Sequence, residues 1–133
     1  MKTYRITEKD RELINVAKEV AIKSKIESKS ISCDVGSALI TNKWNIYKGI
    51  NIENKSSAPT SICGETGAIA SMITNGENKV KTIVALYYKN GKERIILPCG
   101  SCRHIISQFG NPYVIISKSK KVKLNDLYPL AVK

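Results

Sequence analysis

Cys63-Gly64-Glu65 and, 36 positions after its cysteine, Pro98-Cys99-Gly100-Ser101-Cys102 decide how this chain folds and what chemistry it holds. Three thiols, two of them spaced Cys-x-x-Cys, fill three tetrahedral positions around a zinc ion. Glu65, two residues after the first thiol, cannot share the ligand position of Cys63 but stands beside the fourth. A structural zinc site closes that position with a protein ligand, whereas a catalytic site leaves it open to water.

The spacing works if each half opens a helix. Pro98, with its fixed φ and missing N–H, suits a helix start. Ser101, Cys102, Ile105 and Ile106 continue a helical pattern that Gly110 and Pro112 end, and Cys99 and Cys102 then share one face. Upstream, Gly67, Ala68, Ile69, Ala70, Met72 and Ile73 form a small-residue apolar helix that stops near Asn75-Gly76, with Cys63 in its first turn. Helix N-termini carry partial positive charge and spare N–H donors, so two of them aimed at one point stabilise thiolates there.

Zinc brings the pKa of a bound water near neutrality, and Glu65 is placed to accept that proton and return it to a leaving group. This is the machinery of hydrolytic deamination. Three thiolates exceed the zinc charge by one, and Arg103 is the expected donor to a ligand sulfur that offsets the excess.

On these residues the chain resembles the zinc-dependent cytidine deaminase family, whose pattern is Cys/His-x-Glu followed by Pro-Cys-x-x-Cys. Its small homotetrameric, three-cysteine branch, which holds nucleoside cytidine deaminases and blasticidin S deaminases, fits best. The likeness runs from Val35 to the C-terminus, and takes in Val35-Gly36-Ser37-Ala38-Leu39 and Gly49-Ile50-Asn51-Ile52-Glu53-Asn54 besides the cysteine motifs. It implies Cys63, Cys99 and Cys102 as ligands of Zn2+ and Glu65 as the catalytic proton shuttle. It also implies Asn51 and Glu53 as the pair that binds a sugar hydroxyl, the backbone N–H of Gly64 as donor to the pyrimidine carbonyl, and the carbonyl of Leu97 as acceptor from the departing amine. A cytosine nucleoside substrate and a homotetramer whose neighbours complete each other's pockets follow from the same resemblance.

Three positions depart from the nucleoside enzymes of that family. Cys33-Asp34 replaces the aromatic before Val-Gly, Thr66 replaces the arginine that often follows the glutamate, and Val132 stands where a phenylalanine closes the chain. Asn51-Ile52-Glu53 favours a ribose-bearing substrate such as cytidine or deoxycytidine. Thr66 and the absent aromatics favour a bulkier one of the blasticidin S kind.

A chain of 133 residues lies in the one-domain range and can bury a core, so residues 1–133 are read as a single domain. Met1-Lys2-Thr3-Tyr4-Arg5 leads straight into charged sequence, with neither a signal peptide nor a membrane span. The four cysteines are read as thiols of a reducing, cytoplasmic compartment, with Cys33 a small buried apolar residue. The net charge of +11 comes with an excess of lysine, isoleucine and asparagine, which reads first as compositional bias. Lysines do cluster at Lys18 to Lys29 and Lys118 to Lys123. No stretch of sequence interleaves aromatics with them, so nucleic acid is not an expected partner.

Along the chain, Thr7 and Asp10 predict an N-cap for a helix whose apolar face is Leu13, Ile14, Ala17, Val20 and Ala21. Ser28 to Ser32 reads as a polar linker. Val35 to Thr41 and Asn45 to Ile52 read as a hairpin, and Lys55 to Thr60 as a loop into the first cysteine helix. Val80 to Tyr88, Arg94 to Leu97, Tyr113 to Ser117 and Val122 to Leu124 read as strands, with at most a helical turn from Asn125 to Tyr128. The alternation predicts a three-layer α/β/α domain with a mixed sheet of about five strands and the zinc at one end of the sheet.

The same residues have plainer uses. The cysteines fit a closed structural zinc site, Glu65 an ordinary helix-start carboxylate, and Asn51 and Glu53 the polar face of an alternating strand. His104 is read as a helix residue outside the ligand set, and Trp44 as packing beside a turn. On those uses the chain is a non-catalytic, zinc-stabilised protein that binds nucleic acid or another ligand.

Overall fold

The computed structural model describes residues 1–132. Strand β1 (Tyr4–Arg5) precedes helix α1 (Glu8–Lys23), followed by the short strands β2 (Ile26–Glu27) and β3 (Ile31–Cys33). The hairpin β4 (Val35–Thr41) and β5 (Ile46–Ile50) leads through β6 (Glu53–Asn54) and a 3-10 turn, Ala58–Thr60, to α2 (Gly64–Thr74). Then come β7 (Val80–Lys89), β8 (Lys92–Ile96), α3 (Gly100–Ser107), β9 (Tyr113–Ile115), β10 (Lys120–Lys123) and α4 (Leu124–Leu127).

Among the described residues the main sheet has seven strands, in the order β1-β10-β9-β7-β4-β5, with β8 paired to β7. The six strands read from the pattern, β4, β5, β7, β8, β9 and β10, all belong to it, against an expected sheet of about five, and the two-residue β1 extends it. β7 is the longest, and its ten residues divide one edge between two partners. Its first half pairs in parallel with β9 and its second half antiparallel with β8, while β4 covers the other edge.

Side-chain alternation sorts the core into two layers. Ala38, Ile40, Val84, Leu86 and Ile115 meet Leu13, Ile14 and Ala17 of α1 on one face. Leu39, Ile83 and Val114 meet Ala68, Ile69 and Met72 of α2 and Cys102 and Ile106 of α3 on the other. Two glycines set how close the helices come. A Cβ on Gly36 would collide with the Ala17 carbonyl oxygen, and one on Gly49 with the Ala68 amide, so both positions need the smallest residue.

α1 begins as its sequence predicts. The Thr7 hydroxyl accepts from the Asp10 amide at 3.2 Å and the Asp10 carboxylate accepts from the Thr7 amide at 3.0 Å, a complete capping box. The Asp10 carboxylate also takes a 2.6 Å bond from the Lys121 ammonium, a buried pair that ties the start of α1 to β10. Lys18 on α1 is half-buried and donates to Glu93 at 3.1 Å.

Local pattern reading missed the small second sheet. The segment read as a polar linker, Ser28 to Ser32, turns and enters β3, which pairs with β2 on one side and β6 on the other. Two- and three-residue strands carry too little alternation to be seen, and pairing across the chain creates them. For the same reason the second hairpin strand stops at Ile50, and Asn51 leaves the ladder to donate its amide to the Val35 carbonyl at 3.0 Å.

Candidate metal centre and cavity

Cys63 and Cys99 are the N-cap residues of α2 and α3, and neither helix start is closed by a side-chain cap. Cys102 lies one turn into α3 and is buried. The sulfurs of Cys63 and Cys99 are 3.7 Å apart, and the three Sγ atoms lie within 4.8 Å of one another. Tetrahedral zinc with Zn–S bonds of about 2.3 Å spaces its sulfurs by about 3.8 Å. One pair therefore stands at ligand separation already, and the third sulfur needs only a small closure.

The donor chemistry also asks for a cation. Burial pushes the Cys102 thiol far up, with the charges of Glu65 and Cys63 adding to it, and burial raises Cys63 too. Burial acts on Cys99 in the same sense but is outweighed by hydrogen bonds, first from the Cys102 amide, so this thiol sits below its usual range. One thiol ready to ionise beside two that ionise only against a positive charge is a donor set that fits Zn2+.

Glu65, in the first turn of α2, is only 4% exposed, and burial holds its carboxyl above the ordinary range. It lines a cavity of about 240 Å³ together with Cys63, Gly64 and Cys99. Asn51, Glu53 and Leu97 line the same cavity, so the structure brings every residue the sequence marks for substrate contact to one place. Gly64 is held tightly there: a Cβ would stand 3.0 Å from the Val35 carbonyl oxygen and 3.2 Å from the Ser37 Cβ. The Asn51 side-chain oxygen accepts from the amides of Asp34 and Val35, both at 2.9 Å, which fixes its orientation and turns its NH2 group away from those amides.

Of the remaining lining, Ser61, Ile62 and Ile96 were not singled out from sequence, while Val35 and Ile52 belong to the two segments that carry the family resemblance. Ile52 and Ile62 pair as an isolated antiparallel bridge, with N···O distances of 3.0 and 2.9 Å. The Ser-rich loop between them was the available signal, since such loops carry binding residues, but the cavity uses the two residues just after it, Ser61 and Ile62.

Arg103 does not go where its expected role requires. Its Nε donates to the Pro98 carbonyl at 2.8 Å and its Nη1 to the Leu127 carbonyl at 2.9 Å, instead of to a sulfur. Neutral carbonyl oxygens on either side of the guanidinium are better acceptors than protonated thiols. The side chain thus clasps the turn before α3 to the C-terminal segment. His104 stands outside the cysteine cluster, its Nδ1 3.0 Å from the Tyr128 hydroxyl. Cys33 is buried, as expected of a small apolar residue, and Val132 is exposed with its carbonyl accepting from Gln108 at 2.8 Å. Trp44 sits at a positive φ in the β4–β5 turn with Lys81 over its ring.

Comparison with known proteins agrees with this geometry. A family model described as the cytidine and deoxycytidylate deaminase zinc-binding region matches residues 7–118. A blasticidin-S deaminase of Bacillus cereus is 33% identical over 139 aligned residues, covering 98% of this chain and 96% of that protein. A cytidine deaminase of Mycoplasma genitalium is 39% identical over 58% of this chain and 56% of that protein. The fold matches the crystal structure of cytidine deaminase from Burkholderia pseudomallei with a TM-score of 0.75 at 26% identity, covering 92% of this chain and 98% of that one. It matches that from Mycobacterium tuberculosis with a TM-score of 0.76 at 21% identity, covering 92% and 96%.

Proposed function

The chain belongs to the zinc-binding family of cytidine and deoxycytidylate deaminases, and from that premise we propose that it is a zinc-dependent aminohydrolase converting a cytosine nucleoside to its uracil form with release of ammonia. The observation that carries the reading is the convergence of Cys63, Cys99 and Cys102 at two uncapped helix starts, with the buried carboxyl of Glu65 lining the same cavity.

Cys63, Cys99 and Cys102 would hold Zn2+, which when bound would supply an activated water near neutral pH. Glu65 would carry both protons: one from the attacking water to the ring nitrogen, and then the one from the hydroxyl now on the ring carbon to the departing amine. The balance is water plus the amino-pyrimidine giving the oxo-pyrimidine plus ammonia. A carboxyl pushed up by burial suits this exchange, because it holds a transferred proton more readily than an exposed carboxyl does. The Gly64 amide and the Leu97 carbonyl flank the ring, and the Asn51 amide group and Glu53 carboxylate take the sugar hydroxyl. The apolar lining, Val35, Ile52, Ile62 and Ile96, excludes water around them.

Substrate choice lies between cytidine or deoxycytidine and blasticidin S. Asn51 and Glu53 in the cavity support the nucleosides, while the near full-length match to the Bacillus cereus protein supports the antibiotic. A homotetramer suits the half-exposed Ile52, Ile62 and Leu97 beside the cavity mouth, which a neighbouring copy would cover. A cytoplasmic location suits thiols required as metal ligands, because an oxidising compartment would pair them. No described helix is long and apolar enough to cross a membrane.

The test couples zinc quantification to ammonia release from cytidine, deoxycytidine and blasticidin S, for the wild type and Glu65→Ala. The variant is expected to keep its zinc and lose turnover. If zinc-replete wild type released no ammonia from any of the three, the catalytic reading would fall and a non-catalytic zinc-stabilised binding protein would take its place.

A further inference from the structure

Sequence segments far apart in the chain meet at the β1–β10 edge of the sheet and make it basic. One cleft there, of about 510 Å³, is lined by Arg5, Arg11, Lys118 and Lys120. A second, of about 210 Å³, opens beside it at the ends of β7, β9 and β10 and is lined by Lys79, Lys81 and Lys123. No carboxylate lines either cleft, and neither shares a residue with the catalytic cavity.

The clefts are joined by aromatic rings. Tyr4 lines the first and Tyr113 the second, and their centroids are 5.1 Å apart, edge to face. Lys2 stands over the Tyr4 ring at 5.1 Å and Lys123 over the Tyr113 ring at 4.0 Å, so the junction is basic too. The interleaving of aromatics and lysines that no stretch of sequence contains is assembled here by pairing β1 with β10 and β10 with β9.

Unpaired lysines occur elsewhere too: Lys9, Lys23 and Lys55 have acidic partners, but Lys29, Lys43, Lys48 and Lys92 have none among the described residues. What sets this surface apart is grouping, several cations around two clefts that no carboxylate lines. Of these, Arg5, Lys79 and Lys120 have no ion-pair partner among the described residues. Arg11 is paired only with the exposed Glu8, at 2.9 Å, and Lys118 only with Glu93, at 3.8 Å.

We propose that the β1–β10 edge is a track for the sugar-phosphate backbone of a single-stranded nucleic acid, bound without regard to sequence. Cations spread over two clefts and the ridge between them match a chain of regularly spaced phosphates better than one small anion, which needs donors converging on a point. The Tyr4 and Tyr113 rings between the clefts suit the unpaired bases of a single strand. The partner is a flexible polyanion on a surface remote from the metal centre.

The test is fluorescence anisotropy of zinc-loaded protein with a labelled oligothymidylate, between ~50 and ~200 mM salt. Wild type is expected to bind with log K falling against log salt with a slope of about −3, as for about four neutralised phosphates on a single strand. Arg5→Glu with Lys120→Glu should weaken binding about tenfold or more and make the slope shallower by about 1.4, while Arg5→Lys with Lys120→Arg keeps it. Lys48→Glu with Lys92→Glu, exposed positions outside the track, makes the same change in net charge and should stay within about twofold of wild type. Equal loss in that control reduces the effect to overall charge and overturns the track. Displacement of the oligonucleotide by inorganic phosphate at matched phosphate concentration overturns it in favour of a small-anion site, and preferred binding of anionic lipid vesicles in favour of a membrane surface.

Discussion

The helices on the two faces of the sheet start in opposite ways. α1 opens with its spare amides satisfied: the Thr7–Asp10 capping box closes it, Glu8 and Asp10 meet its dipole, and Asp10 is tied to Lys121. α2 and α3 open on Cys63 and Cys99, whose side chains cap nothing. The first arrangement makes a helix stable, and the second keeps two positive helix ends for whatever binds between the sulfurs. One face of the sheet is therefore built for stability, the other for chemistry at the expense of local stability.

The contrast is sharpest at Glu65. Replacing it with alanine should lower turnover by about 10²- to 10⁴-fold, the usual contribution of a general acid–base, with zinc content unchanged by metal analysis. A turnover close to wild type would sink the assignment. On the opposite face, Lys121→Ala leaves the buried Asp10 carboxylate without its ammonium and should cost about 3–5 kcal/mol in urea unfolding. The folded fraction should keep its zinc and its turnover.

Swapping the two kinds of helix start is the more direct trial. Thr7→Ala removes a cap and should cost about 1 kcal/mol with activity intact. Cys63→Ser supplies a better N-cap at α2 yet removes a soft ligand, so zinc content should fall while the metal-free protein melts no lower than wild type. If the serine variant held zinc as tightly as wild type, Cys63 would not be a ligand.

A smaller effect tests the burial of Glu65 by itself. Its folded pKa is raised, so in the metal-free protein its contribution to stability is fully present below the unfolded value and is lost as pH rises through the folded one. Metal-free Glu65→Gln should thus melt higher than metal-free wild type at neutral pH, and the difference should vanish at acid pH. The half-buried Glu77 has the opposite sign. The Tyr47 hydroxyl, 2.7 Å away, lowers its pKa, with Thr41 and Asn45 acting the same way, so Tyr47→Phe should move the Glu77 titration upward by NMR with little change in melting.

What was legible in the sequence followed from local rules. A capping box, an apolar stripe at helical spacing and cysteines around a Pro-initiated turn each depend on neighbours a few residues away, so α1, α2, α3 and the long strands could be placed before any contact was known. Arg103 shows where such rules stop. Its position next to Cys102 suggested a sulfur partner, but its bonds depend on where Leu127 lies, 24 residues on. Lys18 likewise finds Glu93, 75 residues away, a partner that no local pattern names.

By itself the sequence determined the candidate metal centre and the glutamate beside it, because metal ligation and proton transfer demand particular residue types at spacings that helix starts preserve. Tertiary structure alone decided what surrounds that centre: the apolar wall from Ile52, Ile62 and Ile96, the small sheet joining β2, β3 and β6, and the basic edge assembled from residues 2–11, 79–81 and 113–123. The reason is physical. Those features come from pairing between distant strands, and the closure of long loops leaves no periodic trace in the chain that makes them.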